Sequence, residues 1–266
     1  MKTYLCRHCI DLLKHHKYLL EYHLSHRCNL NCYGCNRCAS LFNKESDYSF
    51  HEFKEDFDKF LKYKDFSQLE EIHISGGEPL VNKDFFKIIE YIRKFFNKEI
   101  YLMTNGLKFL AYSDTEIEFF KRNNIHIVVT QYSKSKIDYN EIKRKLDFKT
   151  LAIVQNFCYK TYREVPDFKS ISSNCQCCLP IVHKGKLFGC EVICALKKLN
   201  EVFKMNFEIE NYFYNINDFS SFKDVTLYFL KNKVYPCEYC CLKSDYTCDW
   251  HTSSKIKDEW IQWCLT

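Results

Sequence analysis

The chain has 266 residues, 46% of them hydrophobic and 27% charged, with a net charge of +5, so wholesale disorder is excluded and no obligatory nucleic-acid or membrane partner is implied. Six glycines and four prolines exclude collagen-like and low-complexity chains, and no apolar run reaches the roughly 18 residues that span a bilayer. The outlying number is 17 cysteines, an odd count that cannot all pair within one chain. Cys6, Arg7, His8, Cys9 and Asp11 interrupt the opening stretch where an export signal would need an apolar core. A reducing cytoplasm is therefore expected, where many cysteines mean metal or redox chemistry more often than disulfides.

Residues 1–17 read as an N-terminal extension. Residues 18–170 read as the barrel domain, and from about 18 to 155 strand-like and helix-like periods alternate. Tyr18 to Leu24 reads as a strand, and the stripe Phe50, Phe53, Phe57, Phe60 and Leu61 as a helix. Leu69 to Ser75 is a second strand, followed by a helical stripe of Phe85, Ile88, Ile89, Ile92 and Phe96 with Asn82 as its cap. Ile100 to Met103, Ile125 to Thr130 and Lys149 to Val154 are further strands. Ile117 with Phe120, and Tyr139 with Ile142 and Leu146, mark the helices between them. Such alternation implies parallel strands with right-handed crossovers, and hence an α/β fold: a partial (β/α)6 TIM-like barrel. His73 faces oppositely from Ile72 and Ile74, either into the barrel as a proton acceptor or as a satisfied core histidine. His126 reads as a core or strand-edge residue.

After about residue 170 the character changes. Cys175, Cys177, Cys178, Cys190 and Cys194 form one cluster, and Cys237, Cys240, Cys241 and Cys248 another. Residues 171–248 read as a small cysteine-rich module whose core is too thin to stand without metal, and 249–266 as a tail.

The chemistry concentrates where strands end. Cys28, Cys32 and Cys35 follow the first strand, and three thiolates at this spacing can wrap a cuboidal iron–sulfur cluster from one loop. Closed clusters take four cysteines, so three leave one iron open. A zinc knuckle with Cys38 as fourth ligand is the alternative. The next strand ends in Ser75-Gly76-Gly77-Glu78-Pro79, where paired glycines admit close backbone approach to a ligand and Glu78 offers a carboxylate to a cation.

In these two motifs the sequence resembles the radical S-adenosylmethionine (radical SAM) enzymes, whose cysteine signature matches Cys28, Cys32 and Cys35 and whose glycine-rich motif matches Gly76, Gly77, Glu78 and Pro79. The resemblance implies a 4Fe-4S cluster on the three cysteines, SAM on its open iron, and reductive cleavage of SAM to a radical that abstracts substrate hydrogen. It further implies that Glu78 and the Gly76–Gly77 backbone hold the methionyl amine, with Asn105 and Thr130 as additional SAM contacts. Gly34 stands where the family has an aromatic residue before its last cysteine, with Tyr33 one place earlier.

Leu20 to Cys32 is similar to a subgroup often associated with bacterial surface-polysaccharide glycosyltransferases, which implies a sugar or nucleotide-sugar substrate. Gly185 to Cys190 and Cys237 to Cys240 resemble a SPASM/twitch module. This implies a second 4Fe-4S cluster on Cys190, Cys237 and Cys240, with Cys175 or Cys178 as fourth ligand. A structural zinc site suits the same thiolates. The pair Cys6 and Cys9 reads as unliganded or peripheral, and Cys158, Cys194, Cys241, Cys248 and Cys264 as buried small hydrophobes. The resemblance also implies an oxidoreductase with a reductant such as flavodoxin or ferredoxin. A peptide-modifying enzyme and a zinc-stabilised binding protein are the other readings, and no residue is assigned as general base.

Overall fold

The computed structural model describes residues 7–132, 137–146, 150–155, 161–164, 166, 180–232, 239–241 and 249–262. A first helix, α1 (Arg7–Lys14), leads into β1 (Tyr18–Ser25). Strict alternation follows through α2 (Phe50–Phe60), β2 (Leu69–Gly76), α3 (Phe85–Arg93), β3 (Glu99–Thr104), α4 (Asp114–Arg122), β4 (Ile125–Tyr132), α5 (Tyr139–Lys145) and β5 (Thr150–Gln155). Beyond these lie β6 (Thr161–Arg163), β7 (Ile181–His183), β8 (Lys186–Phe188), α6 (Val192–Phe203), β9 (Tyr214–Asn215), α7 (Phe222–Lys231), β10 (Cys240–Cys241) and β11 (Ile261–Gln262).

Eight strands form one sheet in the order β5-β4-β3-β2-β1-β7-β8-β9, and β10-β6-β11 form a small second sheet. Strands β1 to β5 run parallel, each beside its successor. A sixth parallel strand, β7, pairs with β1 at the edge away from β5. It turns into β8 through Lys184 and Gly185, both with positive φ, as a two-residue hairpin turn requires. The hairpin and β9 belong to the cysteine-rich stretch 171–248, and they continue the barrel sheet itself.

Alternation along the strands divides the sheet into two chemically different faces. Leu20, Tyr22, Leu24, Ile72, Ile74, Ile100 and Leu102 are fully buried on one face. There the Tyr22 ring lies 4.9 Å from Phe53, Phe53 stacks on Phe57 at 5.7 Å, and Phe60 stacks on Phe222 at 5.7 Å. Each such side chain contributes about 1.5–3 kcal/mol on burial. The other face carries Glu21, His23, Glu71, His73, Ser75, Glu99, Tyr101 and His126, and it is the concave side of the partial barrel.

Helix starts follow local chemistry. Ser49 with Glu52 and Ser113 with Glu116 close capping boxes on α2 and α4. Asn82, expected to cap α3, sits two residues too early, and Asp84 occupies the cap position. The Asn82 amide instead accepts from Asp84 N–H and donates to the Leu24 and Tyr48 carbonyls, each at 2.8 Å, tying β1 to the start of α2. Among the described residues no helix is long and apolar enough to cross a membrane.

Buried Asp56 on α2 locks the hairpin to the helix layer, accepting from the Tyr48 hydroxyl at 2.8 Å and from Gly185 N–H at 2.6 Å. Asp56→Ala strands both donors and should destabilise the fold by about 2–4 kcal/mol, read as a lower urea midpoint at unchanged m-value.

Candidate functional site

Because β1 to β4 are parallel, the segments that follow them emerge on one edge of the sheet, the position at which barrel enzymes build their sites. The loop carrying Cys28, Cys32 and Cys35 leaves β1, Gly77 to Pro79 leave β2, Asn105 leaves β3, and Thr130 lies near the end of β4. The fold thereby brings both sequence motifs together.

The three thiols lie close enough to act on one another. Burial, then the Glu78 carboxylate and after it Cys35 and Cys32, pushes Cys28 well up, while burial and then Cys35 push Cys32 to about 12. Burial also raises Cys35, and the phenol of Tyr132 is pushed up by burial and then by all three cysteines. Thiols so placed resist ionising together unless a cationic centre joins them, and that donor set fits an iron–sulfur cluster. Cys38 is fully buried beyond Cys35. Among the described residues no three His, Cys, Asp or Glu side chains are arranged to hold a single metal ion. Neither the three cysteines alone nor the three with Cys38 form a preset single-ion, zinc-type site.

The glycines answer a demand made by the chain itself. Gly76 has φ +125°, and a Cβ there would lie 2.1 Å from the Ser25 carbonyl oxygen. A Cβ on Gly77 would lie 2.4 Å from the carbonyl oxygens of His26 and Arg27. Gly77 N–H donates to Ser25 O at 2.7 Å and Glu78 N–H to Arg27 O at 2.9 Å, so the second motif is stitched to the start of the cysteine loop.

Glu78 is completely buried, and its carboxylate accepts from Leu80 N–H at 3.1 Å, the Thr104 hydroxyl at 2.8 Å and Asn105 N–H at 2.8 Å. Burial raises its pKa to about 7 against the pull of those donors. Through these bonds the carboxylate braces the ends of β2 and β3, and the charge of Lys108 acts on it as well. Asn105 extends the brace, donating to Asn29 Oδ1 at 2.8 Å and to the Cys28 sulfur at 3.4 Å.

Several residues essential to this geometry carry no sequence signal. Arg27 binds Asp47 through Nε and Nη2 at 3.0 and 2.7 Å and donates to Val81 O at 2.7 Å. Arg37, between Cys35 and Cys38, pairs with Glu191 at 2.6 Å and lies 3.8 Å from Glu21. It also donates to the Gly76 carbonyl, while Asn36 donates to Glu191. Although burial works to raise it, Glu21 is held down at about 2 by its contacts with His23, Arg37 and Ser75. Burial lowers the His23 pKa, and Arg37 is the permanent cation beside Glu21.

The tail closes over the same loop. Ser253 N–H donates to Asn31 O at 2.8 Å, Tyr33 N–H to His251 O at 3.0 Å, and Cys32 bridges Thr252 as a short antiparallel pair. Trp260, with no exposed surface, donates its indole N–H to Cys35 O at 2.9 Å.

On the concave face His73 bonds Glu71 at 2.8 Å, and His126 bonds Glu99. The Tyr101 ring lies between the two imidazoles, 5.1 and 4.8 Å away. His73 therefore faces the barrel interior and is also hydrogen-bonded, joining features of both expectations for it. In the second cysteine group, Cys190 is buried just before α6 and Cys240 sits on β10. Cys194, a turn further along α6, is raised to about 12 by its burial. Cys175, Cys178 and Cys237 lie outside the described residues, as do Cys6, Cys158, Cys177, Cys248 and Cys264.

Two substitutions probe the site. Gly77→Ala must displace the cysteine loop and should lower iron retained after anaerobic reconstitution by about tenfold or more, with the far-UV circular dichroism preserved. Arg37→Ala leaves two half-buried carboxylates without the guanidinium between them and should cost about 1.5–3 kcal/mol in urea unfolding, most of it recovered by also removing Glu191 and Glu21.

The radical SAM superfamily model matches residues 22–150. A probable GTP 3′,8-cyclase of Methanocaldococcus jannaschii is 24% identical over 210 residues, covering 74% of this chain and 63% of that protein. A GTP 3′,8-cyclase of Synechocystis is 33% identical over 97 residues, or 36% of this chain and 28% of that one. The chain thus spans less than two thirds of these relatives. Among solved structures, BtrN in complex with AdoMet and 2-DOIA has the same fold, with a TM-score of 0.52 at 17% identity over 79% of this chain and 81% of BtrN. Residues 22–150 of this chain are a radical SAM domain.

Proposed function

We propose that Cys28, Cys32 and Cys35 hold a 4Fe-4S cluster with one iron left to SAM, and that this chain abstracts a hydrogen atom from a small polar substrate held on the concave face. The placement of three thiols on one loop beside the glycine motif, close enough to act on one another, carries this reading. When bound, the cluster supplies the electron that cleaves SAM and starts the hydrogen abstraction.

The residues of the chain do the positioning. Gly76 and Gly77 keep the cysteine loop against β2, Glu78 and Asn105 fix Cys28 relative to β3, and Pro79 opens the turn that orients the Glu78 carboxylate. The backbone at 76–79, Asn105 and Thr130 would face SAM. Cys190, Cys237 and Cys240, with Cys175 or Cys178, would hold a second 4Fe-4S cluster that accepts an electron from the substrate radical and so favours net oxidation. The reductant would be a flavodoxin or ferredoxin.

For the substrate, a sugar or nucleotide-sugar is in keeping with the concave face, where imidazole, phenol and carboxylate groups offer donors and acceptors for hydroxyls. The relatives' names favour the nucleotide part of that class, since they act on GTP.

Anaerobically reconstituted protein with dithionite and SAM should form 5′-deoxyadenosine. Alanine at Cys28, Cys32 or Cys35 should reduce formation to the level without enzyme. A colourless zinc protein inert toward SAM would sink the reading. A total of about four irons per folded chain, one cubane's worth, would remove only the second cluster. Stimulation of 5′-deoxyadenosine by a nucleoside diphosphate sugar, by GTP or by neither sorts the substrate classes.

A further inference from the structure

The tail from 249 to 262 carries no cysteine motif, yet it supplies a contact to a cluster-loop sulfur. The Trp250 indole N–H donates to the Cys32 sulfur at 3.1 Å. Neighbouring backbone fixes this approach: Cys32 pairs with Thr252, Tyr33 N–H donates to His251 O, and the Tyr33 and His251 rings lie 4.2 Å apart. Asn31 and Ser253 exchange two hydrogen bonds, at 2.8 and 3.1 Å. Behind them, buried Glu259 accepts from the Ser253 hydroxyl at 2.5 Å and Ser254 N–H at 2.6 Å, shaping the tail's turn. Trp250 is thus delivered by a braced segment.

Resting on the assignment of Cys32 as a cluster ligand, we propose that Trp250 is a positioning residue that tunes the cluster through its N–H···S hydrogen bond. A donor on a ligating thiolate draws negative charge off the sulfur, which stabilises the more electron-rich state. Trp250 therefore raises the reduction potential and eases the one-electron reduction on which SAM cleavage depends. Cys28 receives its own donors, Leu30 N–H at 3.3 Å and the Asn105 amide at 3.4 Å, from near the sheet edge. The Cys32 donor comes from the far end of the chain, so an intact tail is a condition for a readily reduced cluster.

The test compares wild type with Trp250→Phe, which keeps an aromatic ring without the donor, and Trp250→His, which keeps a ring N–H. All three are full-length, reconstituted anaerobically, assayed for iron and sulfide, and titrated electrochemically with electron paramagnetic resonance of the reduced cluster. At the poise where half of the wild-type cluster is reduced, the reduced-to-oxidised ratio in Trp250→Phe should fall about tenfold, a shift of about 59 mV to more negative potential for one electron, with His restoring most of it. If Phe loses the cluster while His retains it, the donor role also stands. Equal potentials at equal iron content in wild type and Phe, or loss of iron in both variants alike, would reduce Trp250 to a space-filling ring and overturn the proposal. A wild-type protein that binds zinc and no iron would instead overturn the cluster assignment on which it rests.

Discussion

The structure depends on how closely the end of β2 approaches the beginning of the cysteine loop. Gly77 N–H and Glu78 N–H reach the carbonyls of Ser25 and Arg27, and no side chain fits at positions 76 or 77 without colliding with that backbone. Two short hydrogen bonds thereby fix where Cys28 begins its loop. The register irregularity between His23 and Ser25 is where β1 and β2 exchange ladder pairing for this contact. Glu78 then carries the constraint to β3 through Thr104 and Asn105, and Asn105 returns it to Cys28.

Electrostatics follows from that geometry. Three thiols, Glu78 and Glu21 are wholly or largely shielded from water on one edge, and burial disfavours every one of their charged forms. The fold meets this cost in two ways. Glu21 and Glu191 share Arg37, whose guanidinium is itself enclosed by the loop it supports. Arg37 also acts on Cys35, and a charge-delocalising cluster is what a set of three such thiols accommodates.

Remote segments complete the loop. Glu191, next to Cys190, holds Arg37 from the second cysteine group, and the Tyr162 hydroxyl donates to Asn36 O. Trp250 and Trp260 reach it from the tail, so the loop's environment is assembled from the beginning, middle and end of the chain. A rigid, largely dry surround of this kind suits radical chemistry, which fails when water or a misplaced hydrogen competes.

The five parallel strands, their helices, the two motifs and the opposite facing of His73 were legible in the sequence. Period-2 and period-3.6 patterns record burial directly, and the motifs are contiguous. Asn82 was misplaced by two residues because a buried asparagine that bonds three backbone groups has the same local look as a helix cap. The pairing of β7 with β1 was not legible, since two or three strand residues carry no record of their neighbour. Nor were Arg37 with Glu191, Arg27 with Asp47, or Trp250 with Cys32. Each joins residues 20 to 218 positions apart whose types name no partner, so only the folded backbone, by bringing them within hydrogen-bonding distance, turns them into parts of one site.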